Sequence, residues 1–333
     1  MRVALLGAGQ IGRLHGGILA AEPGVDELIV FDVLEDRARE VAAAIGASTA
    51  ETAGQAIDQA DAVVITASTH QHGALLMLAL DARKPTFVEK PLAFDLVETI
   101  ALVREVESRG AVVQLGFQRR FDEAYREARR RLRGGELGTL YLVRLIAHDH
   151  TPPPDDYIPV SGGLFRDSAI HDFDALRWTT GQETHEVYAA GAVRHWPQFA
   201  AHGDIDTGAV LLTLADGTLA VHSQTRHNPL GYDIRMELVG SESAVTVGLD
   251  TRTPIRSLEK HAPVTANPGW DSWRDRFEPA YRAELRAFLR VARGEEPPAC
   301  VPRDGLEATR VAYAATLSRQ EHRPVRLDEI PTG

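Results

Sequence analysis

Two stretches of the sequence carry side chains that can hold or move a proton. Lys90 is the middle residue of a Glu-Lys-Pro triplet that directly follows an apolar run. Farther along, a Gly-Gly pair precedes a helical pattern in which Asp167 and His171 are four positions apart. On a helix this spacing puts both side chains on one face, where a carboxylate can orient a histidine that acts as a general base. A solvated helix face or part of a zinc site has the same spacing, but no further ligand motif accompanies it.

A glycine pattern near the N-terminus predicts a dinucleotide-binding turn. Gly7, Gly9 and Gly12 follow the first predicted strand and open the first predicted helix. The first permits a tight turn, the second leaves room for a pyrophosphate, and the third lets the helix pack closely on the strand. The helix N-terminus, with Gln10 and Ile11 in its first turn, then offers backbone N–H groups to the phosphates. Glycines that serve only a turn are the alternative.

The residue at the end of the second predicted strand indicates which dinucleotide is bound. Asp32 can accept hydrogen bonds from the adenosine ribose, and its charge would repel a 2′-phosphate. Val33 and Leu34 follow it, so no Arg or Lys comes directly after the carboxylate. NAD is therefore predicted over NADP. The alternative is an aspartate that only caps the next helix.

The elements that must position these residues alternate in the first third of the chain. Apolar runs at 3–6, 28–31, 62–65, 86–88 and 112–115 predict buried strands, and helical patterns at 11–20, 35–45, 72–80 and 96–108 lie between them. Alternation of this kind indicates βαβ crossovers and a parallel sheet that is covered on both faces. We therefore predict an α/β fold with a doubly wound, Rossmann-type domain over residues 1–118.

The pattern changes after this domain. Helices are predicted at 122–132, 164–178 and 280–291, a strand at 140–146, and a proline-rich loop at 151–159. Strands at 209–214 and 218–222 flank an Asp-Gly turn, and apolar residues alternate with polar ones at 232–238 and again at 245–247. These features predict a second, α+β domain over residues 119–333 with a mostly antiparallel sheet.

Composition excludes several classes of protein. The chain has 333 residues, a net charge of -11 and a single cysteine, Cys300. The negative charge argues against nucleic acid as a partner, and one cysteine excludes an intrachain disulfide framework. No apolar run approaches the ~20 residues that span a bilayer, and the N-terminus lacks a signal-peptide pattern. We predict a cytoplasmic protein with no membrane partner and no metal site.

Taken together, the motifs resemble the Gfo/Idh/MocA oxidoreductases. The glycine fingerprint, the triplet at 89–91 and the segments 118–122 and 162–174 occur in the order typical of that family, over essentially the whole chain. They are most similar to the inositol 2-dehydrogenase branch. The resemblance implies NAD-dependent oxidation of a secondary hydroxyl on a cyclic polyol or sugar. It also implies an open-faced sheet in the second domain, used for substrate binding and for assembly into a homodimer or homotetramer.

The resemblance further implies roles for individual residues. His171 takes the proton of the substrate hydroxyl, Asp167 orients His171 or relays its proton, and Lys90 positions the reacting oxygen. Residues implied at the cofactor, besides the glycine turn, Asp32 and Lys90, are Ser68, His72 and Glu89. Residues implied at the substrate, besides Lys90, Asp167 and His171, are Arg120, Asp149 and Tyr232.

One segment departs from the family pattern. Inositol-type sequences usually carry a Ser-Arg-Asp-Pro-like stretch before the proline-rich loop, whereas this chain has Ala-His-Asp-His at 147–150. His148 and His150 thus stand beside the expected pocket, which leaves the identity of the polyol open. Histidines on a solvent-facing loop are the alternative.

Other functions remain compatible with the motifs. A scyllo-inositol dehydrogenase or an aldose 1-dehydrogenase would use the same residues. Some relatives keep NAD bound and hydrolyse glycosides through transient redox, so a hydrolase is a second class. A non-catalytic NAD-binding regulator is a third, but it would have no need of Lys90, Asp167 and His171.

Overall fold

The computed structural model describes residues 1–261 and 268–332, which fall into two compact units. Unit 1 comprises residues 1–118 and 279–306, and unit 2 comprises residues 119–278 and 307–332. The sequence analysis placed everything after residue 118 in the second domain. The structure differs at 279–306, which belongs to unit 1.

Packing explains why residues 279–306 join unit 1. The ring of Phe288 lies 5.7 Å from that of Phe87, a strand residue of unit 1. Arg286 donates to Glu22 at 2.7 Å, and the Leu115 N–H donates to the Cys300 carbonyl at 2.9 Å. The periodicity at 280–291 predicts a helix with a buried face, but it does not indicate which domain that face covers.

Unit 1 is built on a parallel sheet of six strands in the order β3-β2-β1-β4-β5-β6. This is the doubly wound order of dinucleotide-binding domains, so the predicted fold is confirmed. Its elements are β1 (Arg2–Leu6), α1 (Gln10–Ala20), β2 (Glu27–Phe31), α2 (Glu35–Ile45), β3 (Ser48–Thr49), α3 (Ala53–Gln59), β4 (Ala62–Ile65), α4 (Thr69–Asp81), β5 (Thr86–Glu89), α5 (Leu96–Arg109) and β6 (Val113–Gly116).

The central strands of unit 1 read as continuous apolar runs because helices cover both faces of a parallel sheet. Leu5, Val64 and Phe87, on three neighbouring strands, are fully buried. The strand order reverses between β1 and β4. Ligands of such sheets bind at this reversal, beyond the carboxyl ends of the strands.

Unit 2 contains a mixed sheet of seven strands in the order β12-β11-β7-β10-β9-β8-β13. All its strand pairs are antiparallel except β7 with β10. Its elements are α6 (Glu123–Arg133), β7 (Leu140–His148), α7 (Ile158–Ser161), α8 (Ile170–Thr180), β8 (Thr184–Ala192), α9 (Pro197–Ala201), β9 (Thr207–Leu214), β10 (Leu219–Thr225), β11 (Asp233–Gly240), β12 (Ala244–Val247) and β13 (Val325–Arg326). Two helices, α10 (Trp273–Ala292) and α11 (Pro302–Glu321), contribute residues to both units.

The strands of unit 2 alternate between a buried and an open face, as predicted. Val210 and Leu212 are buried, and α8 covers their side of the sheet through Phe173, whose ring lies 5.8 Å from that of His222 on β10. On the other side Leu211 is 45% exposed. Among the described helices, none is long and apolar enough to cross a membrane.

Candidate active site

The turn after β1 shows why three glycines are needed there. Gly7 has φ +106°, and a Cβ atom on it would lie 2.4 Å from the Ala67 nitrogen. A Cβ atom on Gly12 would lie 2.0 Å from the Gly7 oxygen. Beside Gly9, in contrast, a Cβ atom would meet nothing within 4 Å. Gly7 and Gly12 therefore permit close packing, whereas Gly9 leaves open space at the start of α1.

The N-terminus of α1 is suited to an anion. Gly9 is the N-cap residue, no side chain caps the helix, and its first turn holds no acidic residue. The N–H groups of the first turn, which includes Gln10 and Ile11, have no partner within the helix and carry the positive end of its dipole. Together with the open space at Gly9, these groups fit the pyrophosphate of a dinucleotide.

Asp32 is fixed by the glycine turn itself. Its carboxylate accepts the Ala8 N–H at 2.7 Å and the Leu34 N–H at 2.9 Å. A carboxylate has further lone pairs, so these bonds leave room for ribose hydroxyls. Arg37, on α2, lies 3.7 Å from Asp32 and lines a surface pocket. Sequence reasoning considered only the two residues after Asp32 and therefore missed this arginine.

Lys90 follows the last residue of β5, and a buried pair holds the turn on which it lies. The His15 Nε2 lies 2.7 Å from a carboxylate oxygen of Glu89. The other oxygen of Glu89 accepts the Lys90 N–H at 3.1 Å. His15 is fully buried on α1, and the peptide bond between Lys90 and Pro91 is cis. Sequence reasoning missed His15, although a helical period from Gly12 would have placed it on the buried face.

The strand beside Glu89 makes room for its carboxyl group. Gly116 on β6 is the register partner of Glu89. A Cβ atom at Gly116 would lie 3.1 Å from a carboxylate oxygen of Glu89 and 2.9 Å from the Phe87 ring. Glu89 was predicted to contact the cofactor. The structure shows it bonded to His15 and to the Lys90 backbone.

His72 supports the same turn from α4. It is 1% exposed, and its ring nitrogens lie 2.8 Å from the Pro91 carbonyl and 3.0 Å from the Ala67 carbonyl. Both nitrogens therefore face backbone oxygens of the protein, and the predicted contact of His72 with the cofactor stays a prediction. Ser68, also predicted at the cofactor, is exposed at the start of α4 and makes no capping bond there.

In unit 2, Asp167 and His171 lie on consecutive helical turns of different kinds. Gly162 and Gly163 have φ values of +87° and +90°, which L-residues rarely adopt, and they lead into a π-helical turn, Phe165–Ala169. Asp167 belongs to that turn, and His171 to the first turn of α8. Both are half-buried. The sequence predicted one continuous helix over 164–178. The observed π-turn is a feature often found at functional sites.

Asp167 is held through both of its oxygens. Arg226 Nη2 lies 2.9 Å from one oxygen, and the Tyr157 hydroxyl donates to the other at 3.0 Å. Arg226 also lies 3.5 Å from a carboxylate oxygen of Asp149. Partial burial and the Asp167 carboxylate both raise the pKa of Tyr157, so its hydroxyl stays a donor. Sequence reasoning named Asp149 and Asp167 but neither Arg226 nor Tyr157.

The arginine predicted to bind substrate forms a buried ion pair. Arg120 is 4% exposed and binds Asp174 through two nitrogens, at 2.9 and 2.6 Å. Its predicted contact with the substrate stays a prediction. Its neighbour Arg119 donates to Asp172 at 2.5 Å, and both are buried. These pairs tie the segment after Gln118 to α8.

The remaining predicted substrate residues lie at the ends of β7 and β11. Tyr232 is 8% exposed, and burial raises the pKa of its hydroxyl. The His148 ring lies 3.3 Å from the Ser223 hydroxyl, and burial lowers the pKa of His148. The His150 Nδ1 lies 3.1 Å from the Asp271 carbonyl. Both histidines thus have protein partners within unit 2.

The strand order and the glycine turn of unit 1 define a dinucleotide-binding protein. Residues 1–117 match the oxidoreductase family with an NAD-binding Rossmann fold, and residues 125–246 match the GFO/IDH/MocA C-terminal domain. The chain belongs to the Gfo/Idh/MocA family. The resemblance inferred from the motifs is thereby confirmed, and the protein is an NAD-dependent oxidoreductase.

Similar proteins cover both units. The chain is 39% identical to the myo-inositol dehydrogenase Hyg17 of Streptomyces leeuwenhoekii, over 96% of this chain and 97% of that one. A probable dehydrogenase from Thermotoga maritima has a crystal structure with a TM-score of 0.93 and 32% identity, covering 99% and 100% of the two chains. A scyllo-inositol dehydrogenase from Lactobacillus casei was crystallised with NAD(H) and scyllo-inositol. Its structure has a TM-score of 0.89 and 25% identity to this chain, covering 98% of this chain and 99% of that one.

Proposed function

We propose that the protein oxidises a secondary hydroxyl of a cyclic polyol to a ketone, with myo-inositol as the first candidate substrate. The observation that carries the proposal is the half-buried pair of Asp167 and His171, with the carboxylate fixed by Arg226 and Tyr157. The names of the similar proteins support an inositol. Because they include both myo- and scyllo-inositol dehydrogenases, scyllo-inositol is the second candidate, followed by an aldose.

Each proposed reactive residue has a separate task. His171 accepts the proton of the substrate hydroxyl as a general base. Asp167, fixed by its two donors, stabilises the imidazolium that results. Lys90 donates a hydrogen bond to the reacting oxygen. NAD, held by the glycine turn and Asp32, supplies the hydride acceptor when it is bound.

A ring that carries several hydroxyls needs several polar partners. Each hydroxyl removed from water and left unpaired costs roughly 1–3 kcal/mol. We propose Lys90, Asp149 and Tyr232 as further partners beside Asp167 and His171. Together these side chains offer donors and acceptors to a polyhydroxylated ring, and their positions would select the epimer.

The substrate class is tested by comparing four polyols. NADH formation is followed at equal concentrations of myo-inositol, scyllo-inositol, glucose and open-chain sorbitol. We expect an inositol to react fastest. Faster oxidation of sorbitol than of every ring compound would overturn the cyclic-substrate proposal. Cleavage of a glycoside without net NADH would favour the hydrolase alternative.

Cofactor preference is tested at Asp32. The wild-type protein should have a higher kcat/KM with NAD than with NADP, because the carboxylate repels a 2′-phosphate. Asp32→Ala should lower that ratio by roughly 10-fold or more, the value of one lost interaction of ordinary strength. Equal or better use of NADP by the wild-type protein would contradict the assignment.

We also propose that the open sheet face of unit 2 joins copies of the chain. Tyr188, Leu211 and Val221 are register partners across β8, β9 and β10, and each is more than 40% exposed. A contiguous apolar patch of this kind is typical of an interface. Light scattering should show a homodimer or homotetramer that Leu211→Glu weakens, and a monomeric wild-type protein would contradict it.

The predicted cytoplasmic location stays a prediction.

A further inference from the structure

Arg226 is a buried cation that contacts Asp167 and has further acidic neighbours. It directly follows β10 and is 3% exposed. An ionised guanidinium in the interior is costly unless carboxylates or carbonyls compensate it. Although burial by itself would lower the pKa of Arg226, the carboxylates of Asp167, Asp149 and Asp204 raise it. Arg226 is therefore charged, and acidic groups surround it.

The acidic partners of Arg226 come from separate segments of unit 2. Asp149 directly follows β7, the parallel neighbour of β10, and its N–H donates to the Thr225 carbonyl at 3.0 Å. Asp167 lies in the π-helical turn, with an oxygen 2.9 Å from Arg226. Asp204 accepts the Leu164 N–H at 3.0 Å. One guanidinium thus joins the carboxyl ends of two strands to the turn that precedes His171.

Tyr157 adds an uncharged donor to the same carboxylate. It lies just before α7, in the proline-rich segment, and its side chain is 43% exposed. Its hydroxyl donates to the Asp167 oxygen that does not face Arg226. With a donor at each of its oxygens, the Asp167 carboxylate is fixed in its orientation.

We propose that Arg226 and Tyr157 are positioning residues for Asp167, and that Arg226 also balances the charge of Asp149 and Asp167 so that an uncharged ring is preferred. This inference rests on the proposed function. It assigns two distinct effects to Arg226, one through the geometry of its planar fork and one through its charge. A lysine keeps the charge without the fork, so the two effects can be separated.

Three variants separate geometry from charge. Arg226→Gln removes both, Arg226→Lys keeps the charge, and Tyr157→Phe removes only the hydroxyl that donates to Asp167. For each we measure kcat and KM for the best polyol and the dissociation constant of NAD. We also measure the ratio of kcat/KM for an inositol that carries a protonated amine to kcat/KM for the unsubstituted ring.

The expected results differ among the variants. Arg226→Gln should lower kcat on the order of 10²-fold, as misplaced catalytic groups do. It should also raise the ratio in favour of the cationic ring by roughly 10-fold, because uncompensated carboxylates attract a cation. Arg226→Lys and Tyr157→Phe should each lower kcat roughly 10-fold and leave the ratio unchanged. NAD binding should be unaffected in all three.

Arg310→Gln serves as the matched control for the loss of a buried arginine. Arg310 is 8% exposed and binds Glu307 and the carbonyls of Leu327 and Ile330. The control should lower the melting temperature without changing kcat or the ratio. If Arg226→Gln does not fold, the Arg226→Lys and Tyr157→Phe variants test the proposal, because both replace the side chain with one of similar size.

Two outcomes would overturn the inference. One is wild-type kcat together with a wild-type substrate ratio in a folded Arg226→Gln protein. The other is an equal loss of kcat in Arg310→Gln, which would reveal a general effect of stability. If the wild-type protein itself oxidises no ring polyol, the proposed function fails instead, so the two failures are distinguishable.

Discussion

The proposed reactive residues of the two units are held in different ways. Lys90 lies on a turn that buried side chains hold through contacts with the backbone of Lys90 and Pro91 and with the side chain of Glu89. His72 faces the Pro91 carbonyl, and Glu89 binds both His15 and the Lys90 N–H. Asp167 instead depends on charge and on a partly exposed segment, through Arg226 and Tyr157.

This difference predicts which unit tolerates change in substrate. A turn fixed through backbone contacts keeps its geometry when the substrate changes, which suits the binding of one cofactor. The position of a carboxylate held by side chains from other segments changes when any of those side chains is replaced. We therefore expect unit 1 to govern cofactor use and unit 2 to govern the choice of polyol.

The largest effect on turnover is expected at the base of unit 2. His171→Ala should lower kcat by ~10²–10⁴-fold, the usual contribution of a positioned general base, with NAD binding intact. His185→Ala, an exposed histidine on β8, is the control and should leave kcat unchanged. Near-normal turnover of His171→Ala would make Lys90 or Asp167 the leading candidate for the base.

The next effect is on stability and concerns the buried charges of unit 2. Arg119→Met leaves Asp172 buried without its arginine, which should lower the free energy of unfolding by ~3–5 kcal/mol. Arg39→Met breaks an exposed pair on α2 of unit 1 and should cost about 1 kcal/mol or less. Chemical denaturation measures both. Equal costs would show that burial does not distinguish these pairs.

A smaller effect on turnover is expected from the Glu89 carboxylate of unit 1. Glu89→Gln keeps the shape but loses one acceptor, so the bond to His15 or to the Lys90 N–H weakens. We expect kcat to fall roughly 10-fold with unchanged NAD affinity. Glu105→Gln, at a half-buried glutamate on α5 that pairs with Arg109, is the matched control. A lower melting temperature with wild-type kcat would leave the pair a structural role only.

The smallest effect concerns the pH dependence of unit 1 through His72. Burial lowers the pKa of His72, so the unfolded chain binds a proton at a higher pH than the folded chain. Its contribution to stability is present above ~pH 6.5 and decreases as the pH falls, by up to ~1.4 kcal/mol per unit. The difference in unfolding free energy between wild type and His72→Gln should therefore shrink from pH 8 to pH 5.5. A constant difference would contradict this.

The parts predicted from the sequence are those that depend on local geometry. A side chain at Gly7 or Gly12 would collide with the backbone, and Gly9 leaves open space, so the spacing of the three glycines indicated both the fold and the cofactor. Lys90 follows a buried strand, and the carboxyl ends of parallel strands face the ligand. The parallel sheet of unit 1 and the mostly antiparallel sheet of unit 2 were predicted from the periodicity of apolar residues.

The parts that were missed depend on contacts between distant positions. Arg226 meets Asp149 because β7 and β10 are parallel neighbours, and it meets Asp167 because the π-helical turn lies beside the end of β10. No spacing along the chain reveals either contact. Arg120 was assigned to the substrate through the family resemblance. Its buried partner, Asp174, is visible only in the fold. The membership of residues 279–306 in unit 1 was not predicted, because it too depends on contacts between distant positions.

The most direct test of the account follows the hydrogen on the oxidised carbon. The protein is incubated with NAD and with myo-inositol that carries deuterium on its ring carbons, and the mass of the resulting NADH is measured. We expect NADH that carries one deuterium, together with a ring ketone, and loss of both in His171→Ala. Unlabelled NADH, or the absence of NADH with both myo- and scyllo-inositol, would contradict it.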